Sequence, residues 1–162
     1  MISESDILHG KILIVDDRET NILLFSRMLH GVGYDSITFT MNPNEVCDLH
    51  RRNRYDLILL DLEMPGLAFS GFQVMERLKE IESGGLLPVI VITAHPEHKL
   101  HALQAGARDF ISKPFELAEV LARVHNMLEV RLMLVETQNH IKALEQKLQE
   151  VEARSRSAPS PK

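Results

Sequence analysis

Hydrophobic residues in this chain occur in short runs that each end in polar residues. Four of the runs are continuous, which is typical of strands buried on both faces of a parallel sheet. They cover residues 12–15, 57–60, 89–92 and 110–111. A fifth segment, 36–40, alternates apolar and polar residues, which favours a strand with one exposed face at a sheet edge.

Helical patterns separate these strands. We predict strands over 11–15, 36–40, 57–61, 88–93 and 109–112, and helices over 19–31, 43–52, 71–83, 96–104 and from 115 onward. The first of these helices is expected to bury Ile22, Leu23, Phe25, Met28 and Leu29. Strict alternation of strand and helix predicts an α/β fold, a five-stranded parallel sheet in a (βα)5 series.

The last helix continues beyond the expected end of the domain. Between 116 and 152 the chain has neither Gly nor Pro. One heptad position carries Met127, Leu134, Ile141 and Leu148, and the other carries Val130, Thr137, Leu144 and Val151. This seam predicts a coiled coil and hence a homodimer, with Lys147 and Glu152 placed to pair between parallel chains. The alternative is a single helix lying back on the domain, although the apolar stripe continues past anything it could cover.

The chain of 162 residues therefore divides into four predicted parts. They are an N-terminal arm (1–9), a globular domain (10–127), a coiled-coil extension (128–153) and a disordered tail or truncated linker (154–162). The net charge of −5 argues against a broad nucleic-acid surface. A single cysteine, Cys47, indicates a reducing compartment. We expect a cytoplasmic protein without export signal or membrane span.

Polar residues follow four of the predicted strands, where ligands bind in open parallel sheets. They are Asp16, Asp17, Asp61, Thr93 and Lys113. Three clustered carboxylates repel one another, and Mg2+, which prefers oxygen ligands, would relieve that repulsion. Acids that cap helix N-termini could account for one of the three, but not for all three together with Thr93 and Lys113.

This chemistry suits transfer of a phosphoryl group to an aspartate. Asp61 stands alone after a central strand, so we predict it as the phosphoacceptor. Asp17 is the predicted direct Mg2+ ligand and Asp16 an outer, water-mediated one. The backbone carbonyl of Glu63 is a further candidate ligand, and Lys113 would neutralise phosphoryl charge.

Five motifs occur in order along the chain: Ile14-Val-Asp-Asp17, Leu60-Asp-Leu-Glu-Met-Pro65, Val91-Ile-Thr-Ala94, Gly106-Ala-Arg-Asp-Phe110 and Ser112-Lys-Pro-Phe115. Together they resemble the receiver domain of two-component response regulators over about residues 10–127. The resemblance implies a doubly wound, flavodoxin-like sheet of order 2-1-3-4-5. It also implies a histidine kinase or phosphotransfer protein as phosphoryl donor. The domain would catalyse only its own phosphorylation and slow dephosphorylation.

The resemblance also implies a switch. Phosphate on Asp61 would draw Thr93 inward and Phe110 would follow, reshaping the face of the fourth helix, fifth strand and fifth helix (α4-β5-α5 in the family). Phe110 lacks the hydroxyl of the tyrosine common at this position, so packing alone would hold it inward. The alternative is a core phenylalanine that never moves. A cis peptide at Lys113-Pro114 is expected as well.

The chain departs from the family pattern after Pro65. The loop 66–71 is two residues longer and carries Leu67 and Phe69, which we interpret as part of a partner surface. His95, His98 and His101 are expected on a solvated surface of the fourth helix rather than at a metal site. A role for His95 in tuning phosphate hydrolysis is kept open.

The output of the module is not encoded in this sequence. A receiver with a long helical extension resembles the front half of regulators that end in a cyclic-di-GMP domain of HD-GYP or GGDEF type. One alternative function is a Mg2+-dependent phosphohydrolase with an aspartyl-phosphate intermediate, in which Glu63 would activate water. Another is a scaffold that works without phosphorylation.

Overall fold

A single five-stranded parallel sheet organises the molecule. The structure is a computed structural model that describes residues 1–64, 71–82 and 88–157. Its strands are β1 (Lys11–Val15), β2 (Ser36–Thr40), β3 (Leu57–Asp61), β4 (Val89–Thr93) and β5 (Asp109–Ser112). They pair in the order β2-β1-β3-β4-β5, as predicted. After β1 the chain adds β2 at one side of the sheet, and from β3 onward it adds strands at the other side. In doubly wound folds, ligands bind where the strand order reverses in this way, here between β1 and β3.

Helices cover both faces of the sheet. They are α1 (Glu4–Leu8), α2 (Glu19–Gly31), α3 (Val46–Asn53), α4 (Gly71–Ile81), α5 (His98–Gln104) and α6 (Leu117–Ser157), with a 3-10 turn at Pro43–Glu45. Because α1 precedes the (βα)5 series, the fourth and fifth helices of that series are α5 and α6. None of the described helices combines the length and apolar composition that crossing a bilayer requires.

Alternate residues of the central strands feed two separate hydrophobic clusters. Leu13, Ile58, Leu60 and Val91 pack with residues of α3, α4 and α5. Ile12, Ile14, Leu59 and Ile90 pack on the other face with residues of α2 and α6. This two-sided burial is why the strands are continuously apolar rather than alternating.

The structure corrects three details of the sequence prediction. Glu4–Leu8 of the predicted arm is helical, with Ser3 and Asp6 forming a capping box and Ile7 buried. Leu23 is exposed, because it lies about 100° around the helix from the buried Ile22. The edge strand β2 buries Thr40 and exposes Phe39.

The long helix α6 has a packed part and a projecting part. Val120, Val124 and Leu128 are buried against the domain, and Arg131 lies 3.7 Å from Glu82. Residues 137–157 are exposed, a length of roughly 30 Å at the α-helical rise. The helix extends through Ser157, so residues 154–157 of the predicted tail are helical, and residues 158–162 of that tail lie outside the described residues.

Candidate metal and phosphoryl-transfer site

The predicted site residues meet at the carboxyl edge of the sheet. Asp61 and Thr93 are the last residues of β3 and β4. The backbone N–H of Asp16 donates to the carbonyl of Thr40 at 3.2 Å, and that of Lys113 donates to the carbonyl of Thr93 at 2.9 Å. These hydrogen bonds extend the sheet pairing by one residue and so fix where the side chains of Asp16 and Lys113 begin.

Three carboxylates form one cluster at this edge. One oxygen from each of Asp16, Asp17 and Asp61 lies within 4.8 Å of the others. Asp16 is buried, and its oxygens accept hydrogen bonds from the backbone N–H of Arg18 at 2.9 Å and from Nδ2 of Asn21 at 3.1 Å. Oδ1 of Asp17 is buried and has no hydrogen-bond partner. An unpaired carboxylate oxygen inside an all-oxygen cluster fits a hard divalent cation.

The electrostatics of Asp61 also suit a cation. Its side chain is 1% exposed, and burial raises its pKa to about 6. The neighbouring Asp16 charge raises the pKa further, whereas the backbone N–H of Glu63 and the Lys113 ammonium oppose the rise. Asp61 is therefore an ionised but poorly solvated carboxylate at neutral pH, and a divalent cation would stabilise that form.

Lys113 connects Asp61 with Glu63. Its ammonium lies 3.1 Å from both oxygens of Asp61 and 3.3 Å from Oε2 of Glu63. Burial disfavours the charge, but the contacts with the two carboxylates outweigh it and raise the Lys113 pKa. The peptide between Lys113 and Pro114 is cis, as predicted.

The side chain of Glu63 has an unexpected position. Its Oε1 accepts hydrogen bonds from the Thr93 hydroxyl at 2.8 Å and from the backbone N–H of Ala94 at 2.5 Å. Burial disfavours its charge, yet these donors and Lys113 together lower the Glu63 pKa. From the sequence we predict only two roles for Glu63, a metal ligand through its backbone carbonyl and, in the alternative hydrolase, a base through its side chain. A carboxylate held by three donors is poorly suited to that basic role.

The predicted switch residue Phe110 is half-buried in β5. The ammonium of Lys99 on α5 lies 4.3 Å from the centre of its ring, within the range of a cation–π contact. The preceding Asp109 accepts two hydrogen bonds from Arg123 of α6, each 2.8 Å long. β5, α5 and α6 are therefore joined at this face by side-chain contacts.

The three histidines lie close together, and the rings of His95 and His98 are 5.1 Å apart between centroids. His95 precedes α5 and is 52% exposed, with Nδ1 3.3 Å from Oε1 of Glu97. His98 is half-buried and lies edge-on to Phe72, and His101 stacks on the same ring at 3.9 Å between centroids. His95 and His101 are exposed, as predicted, whereas His98 is half-buried. Within the described part of the chain, no histidine belongs to a cluster able to hold a metal ion.

The longer loop lies largely outside the described residues. Leu67 and Phe69 fall there, and so the proposed partner surface stays a prediction. At its far end, a Cβ built on Gly71 would come within 2.6 Å of the side chain of Leu62. A larger residue at this position would require the Leu62 side chain to move, and its Cβ would lie 3.3 Å from Cα of Leu62.

The sequence of residues 12–125 matches the model of the response regulator receiver domain. The match covers more than half of the chain, which therefore belongs to the receiver domain family. Such domains are phosphorylation-switch modules rather than enzymes with a catalytic output. They bind Mg2+ at an acidic pocket, and the cluster of Asp16, Asp17 and Asp61 lies at the corresponding edge of this fold.

Individual relatives agree with this assignment. The uncharacterized transcriptional regulatory protein YkoG of Bacillus subtilis is 40% identical over 121 residues, which cover 74% of this chain and 51% of YkoG. Response regulator PleD of Caulobacter vibrioides is 33% identical over 131 residues, which cover 80% of this chain and 28% of PleD. The chain thus spans about half of the first relative and about a quarter of the second.

The fold is similar to a solved receiver domain, that of the sensor histidine kinase PA1611 from Pseudomonas aeruginosa PAO1. The TM-score is 0.66 at 28% sequence identity, and the similarity covers 75% of this chain and 98% of that one. The PA1611 structure has a magnesium ion coordinated in its active site cleft.

Proposed function

We propose that this chain is a Mg2+-dependent phosphorylation switch that accepts a phosphoryl group on Asp61 from a histidine kinase or phosphotransfer protein in the cytoplasm. One observation carries the proposal. Asp61 is a buried carboxylate that contacts the Lys113 ammonium through both oxygens and lies beside two further carboxylates. A buried carboxylate can be phosphorylated only where cationic groups balance the negative charge that the phosphoryl group adds.

The residues around Asp61 divide the work of the transfer. Asp17 and Asp61 would bind the cation directly, Asp16 through water, and the Glu63 carbonyl would complete the protein ligands. Magnesium would neutralise charge on the phosphoryl oxygens. An oxygen of Asp61 forms the bond to phosphorus while the phosphorus–nitrogen bond of phosphohistidine breaks and its electron pair returns to the imidazole nitrogen. Lys113 stabilises the oxygens of the group in transfer.

The switch begins at Thr93. Its hydroxyl would turn to a phosphoryl oxygen, and Phe110 would leave Lys99 and pack inward. The α5–β5–α6 face would then present a different surface to partners, and the Asp109–Arg123 contact gives α6 a direct connection to β5. Because α6 runs from this face into the projecting segment, the change would reach whatever the helix carries.

The projecting segment would act as a parallel two-stranded coiled coil over 128–153. Ile141, Leu144, Leu148 and Val151 of the seam are exposed in the single chain. Lys147 would pair with Glu152 of a second copy, and His140 with Glu145. As a further part of the proposal, an output domain of cyclic-di-GMP type (HD-GYP or GGDEF) would follow such a helix.

The proposal is tested by incubating the protein with acetyl phosphate and MgCl2 and measuring its intact mass. We expect one added phosphoryl group in the wild type and none in Asp61→Asn or in EDTA. Asp35→Asn, which alters an exposed aspartate in contact with His9, should be labelled like the wild type. Label that persists in Asp61→Asn, or its absence from the wild type, would refute the proposal.

A further inference from the structure

Three donors of different kinds converge on the side chain of Glu63. The Thr93 hydroxyl and the Ala94 backbone N–H donate to Oε1, and the Lys113 ammonium lies 3.3 Å from Oε2. The Thr93 oxygen is itself held by the backbone N–H of His95 at 3.0 Å. The Glu63 side chain is 23% exposed and lies at the rim of a pocket, so water could solvate its carboxylate without these three protein donors.

The same donors surround the position where a phosphoryl group on Asp61 would lie. Lys113 contacts both oxygens of Asp61 as well as Glu63, so the two carboxylates are bridged by one ammonium. A phosphoryl group brings three acceptor oxygens and more negative charge than a carboxylate. The Thr93 hydroxyl and the Ala94 backbone N–H each have one hydrogen to donate, and Oε1 of Glu63 accepts both. Two anions that share the Lys113 ammonium repel each other.

We propose that the Glu63 carboxylate occupies the phosphoryl-binding donors of the unphosphorylated protein and has to leave them before Asp61 can be phosphorylated. This inference rests on the proposed function and adds to it a positioning residue that slows phosphoryl uptake. The exposed part of Glu63 gives it a route to solvent, since the pocket over the site is lined by Glu63 together with Arg18, Met64, Ala94 and His95. Release of Glu63 also frees Thr93 for the switch.

The test compares phosphorylation rates with acetyl phosphate and Mg2+. Glu63→Ala removes the carboxylate that accepts from the three donors, and Glu63→Gln keeps the side-chain size but removes the charge. We expect a rate roughly tenfold higher for Glu63→Ala and a smaller increase for Glu63→Gln, because hydrogen bonds to a charged acceptor are the stronger ones. Glu97→Gln is the matched control, since it removes an exposed carboxylate that contacts His95 but none of the three donors.

A second measurement separates uptake from loss of phosphate. Beryllofluoride binds without being hydrolysed, so its affinity in the presence of Mg2+ should rise in the Glu63 variants and stay unchanged in Glu97→Gln. Equal or lower rates and affinities in both Glu63 variants, with Asp61 still labelled, would overturn the inference and leave the proposed function standing. If Asp61 is labelled in no variant, the proposed function itself is wrong.

Discussion

At the scale of single residues, burial and charge conflict most strongly at Asp61. Folding raises its pKa from 3.8 to about 6, so without metal the folded protein binds this proton more tightly than the unfolded chain does. Stability from this group is therefore full below about pH 4 and is lost as the pH rises to about 6. Above that range the ionised carboxylate destabilises the fold by a constant amount.

Asp61→Asn should remove this pH dependence. In EDTA at about pH 7.5 we expect the variant to be more stable than the wild type, with a free energy of unfolding about 1–2 kcal/mol higher. Near pH 4 the two free energies of unfolding should differ little. Urea denaturation at both pH values measures the two differences. Mg2+ should stabilise the wild type and not the variant, because only the wild type holds all three carboxylates. A difference that is the same at both pH values would contradict this explanation.

The sequence was sufficient to predict which side chains meet at this edge, but not all of their contacts. Strand ends fix the positions of Asp16, Asp61, Thr93 and Lys113, since parallel strands end along one line. The Glu63 side chain follows a strand by two residues, and its direction depends on donors from β4 and β5 that no local pattern reveals. The Asn21–Asp16 hydrogen bond was missed for the same reason.

At the scale of elements, the central strands could be predicted because burial on both faces makes their sequences continuously apolar. The bounds of β1, β3 and β5 agree with the prediction because their apolar runs end where the sheet ends. Helix α1 was missed because a helix of five residues is too short to show a period, although Ser3 and Asp6 carried a capping signal. Contacts between elements far apart in the sequence, such as Glu82 with Arg131, cannot be predicted from strand or helix periodicity.

Glu82, which directly follows α4, contacts residues of α3 and α6. Nδ1 of the fully buried His50 accepts the backbone N–H of Tyr55 at 3.1 Å, so Nε2 carries the proton and donates to Oε1 of Glu82 at 2.5 Å. The other oxygen of Glu82 lies 3.7 Å from Arg131 of α6. Removing Glu82 therefore leaves a buried donor without its acceptor and loosens the attachment of α6.

Glu82→Ala should lower the free energy of unfolding by about 1–3 kcal/mol, the range expected when a buried donor loses its partner. Glu82→Gln retains an acceptor for His50 and should cost less than half as much. Hydrogen exchange should accelerate in α6 around Arg131 in both variants, since neither keeps the charge that faces the guanidinium. Glu80→Ala, at an exposed position of α4, serves as the control and should change neither measurement.

At the scale of the whole molecule, the N-terminus and the seam use different sides of α6. The terminal amine of Met1 lies 2.8 Å from Glu136, and His125 contacts Glu4 at 3.1 Å. Glu136 and His125 occupy outer heptad positions when Met127 and Val130 define the seam. The arm therefore contacts outer positions of α6, and the seam residues Ile141, Leu144, Leu148 and Val151 stay exposed in the single chain.

If the seam pairs two chains, its apolar residues should decide the mass of the protein in solution. The double substitution Ile141→Ser and Leu144→Ser should convert a dimer into a monomer, because it removes two consecutive seam layers that are exposed in the single chain. Gln146→Ser and Gln149→Ser, at outer positions of the same turns, should leave the dimer intact. Analytical ultracentrifugation with and without beryllofluoride and Mg2+ distinguishes a permanent dimer from one formed on activation. A wild-type protein that sediments with the mass of one chain in both states would contradict the coiled coil, and α6 would then be a single projecting helix.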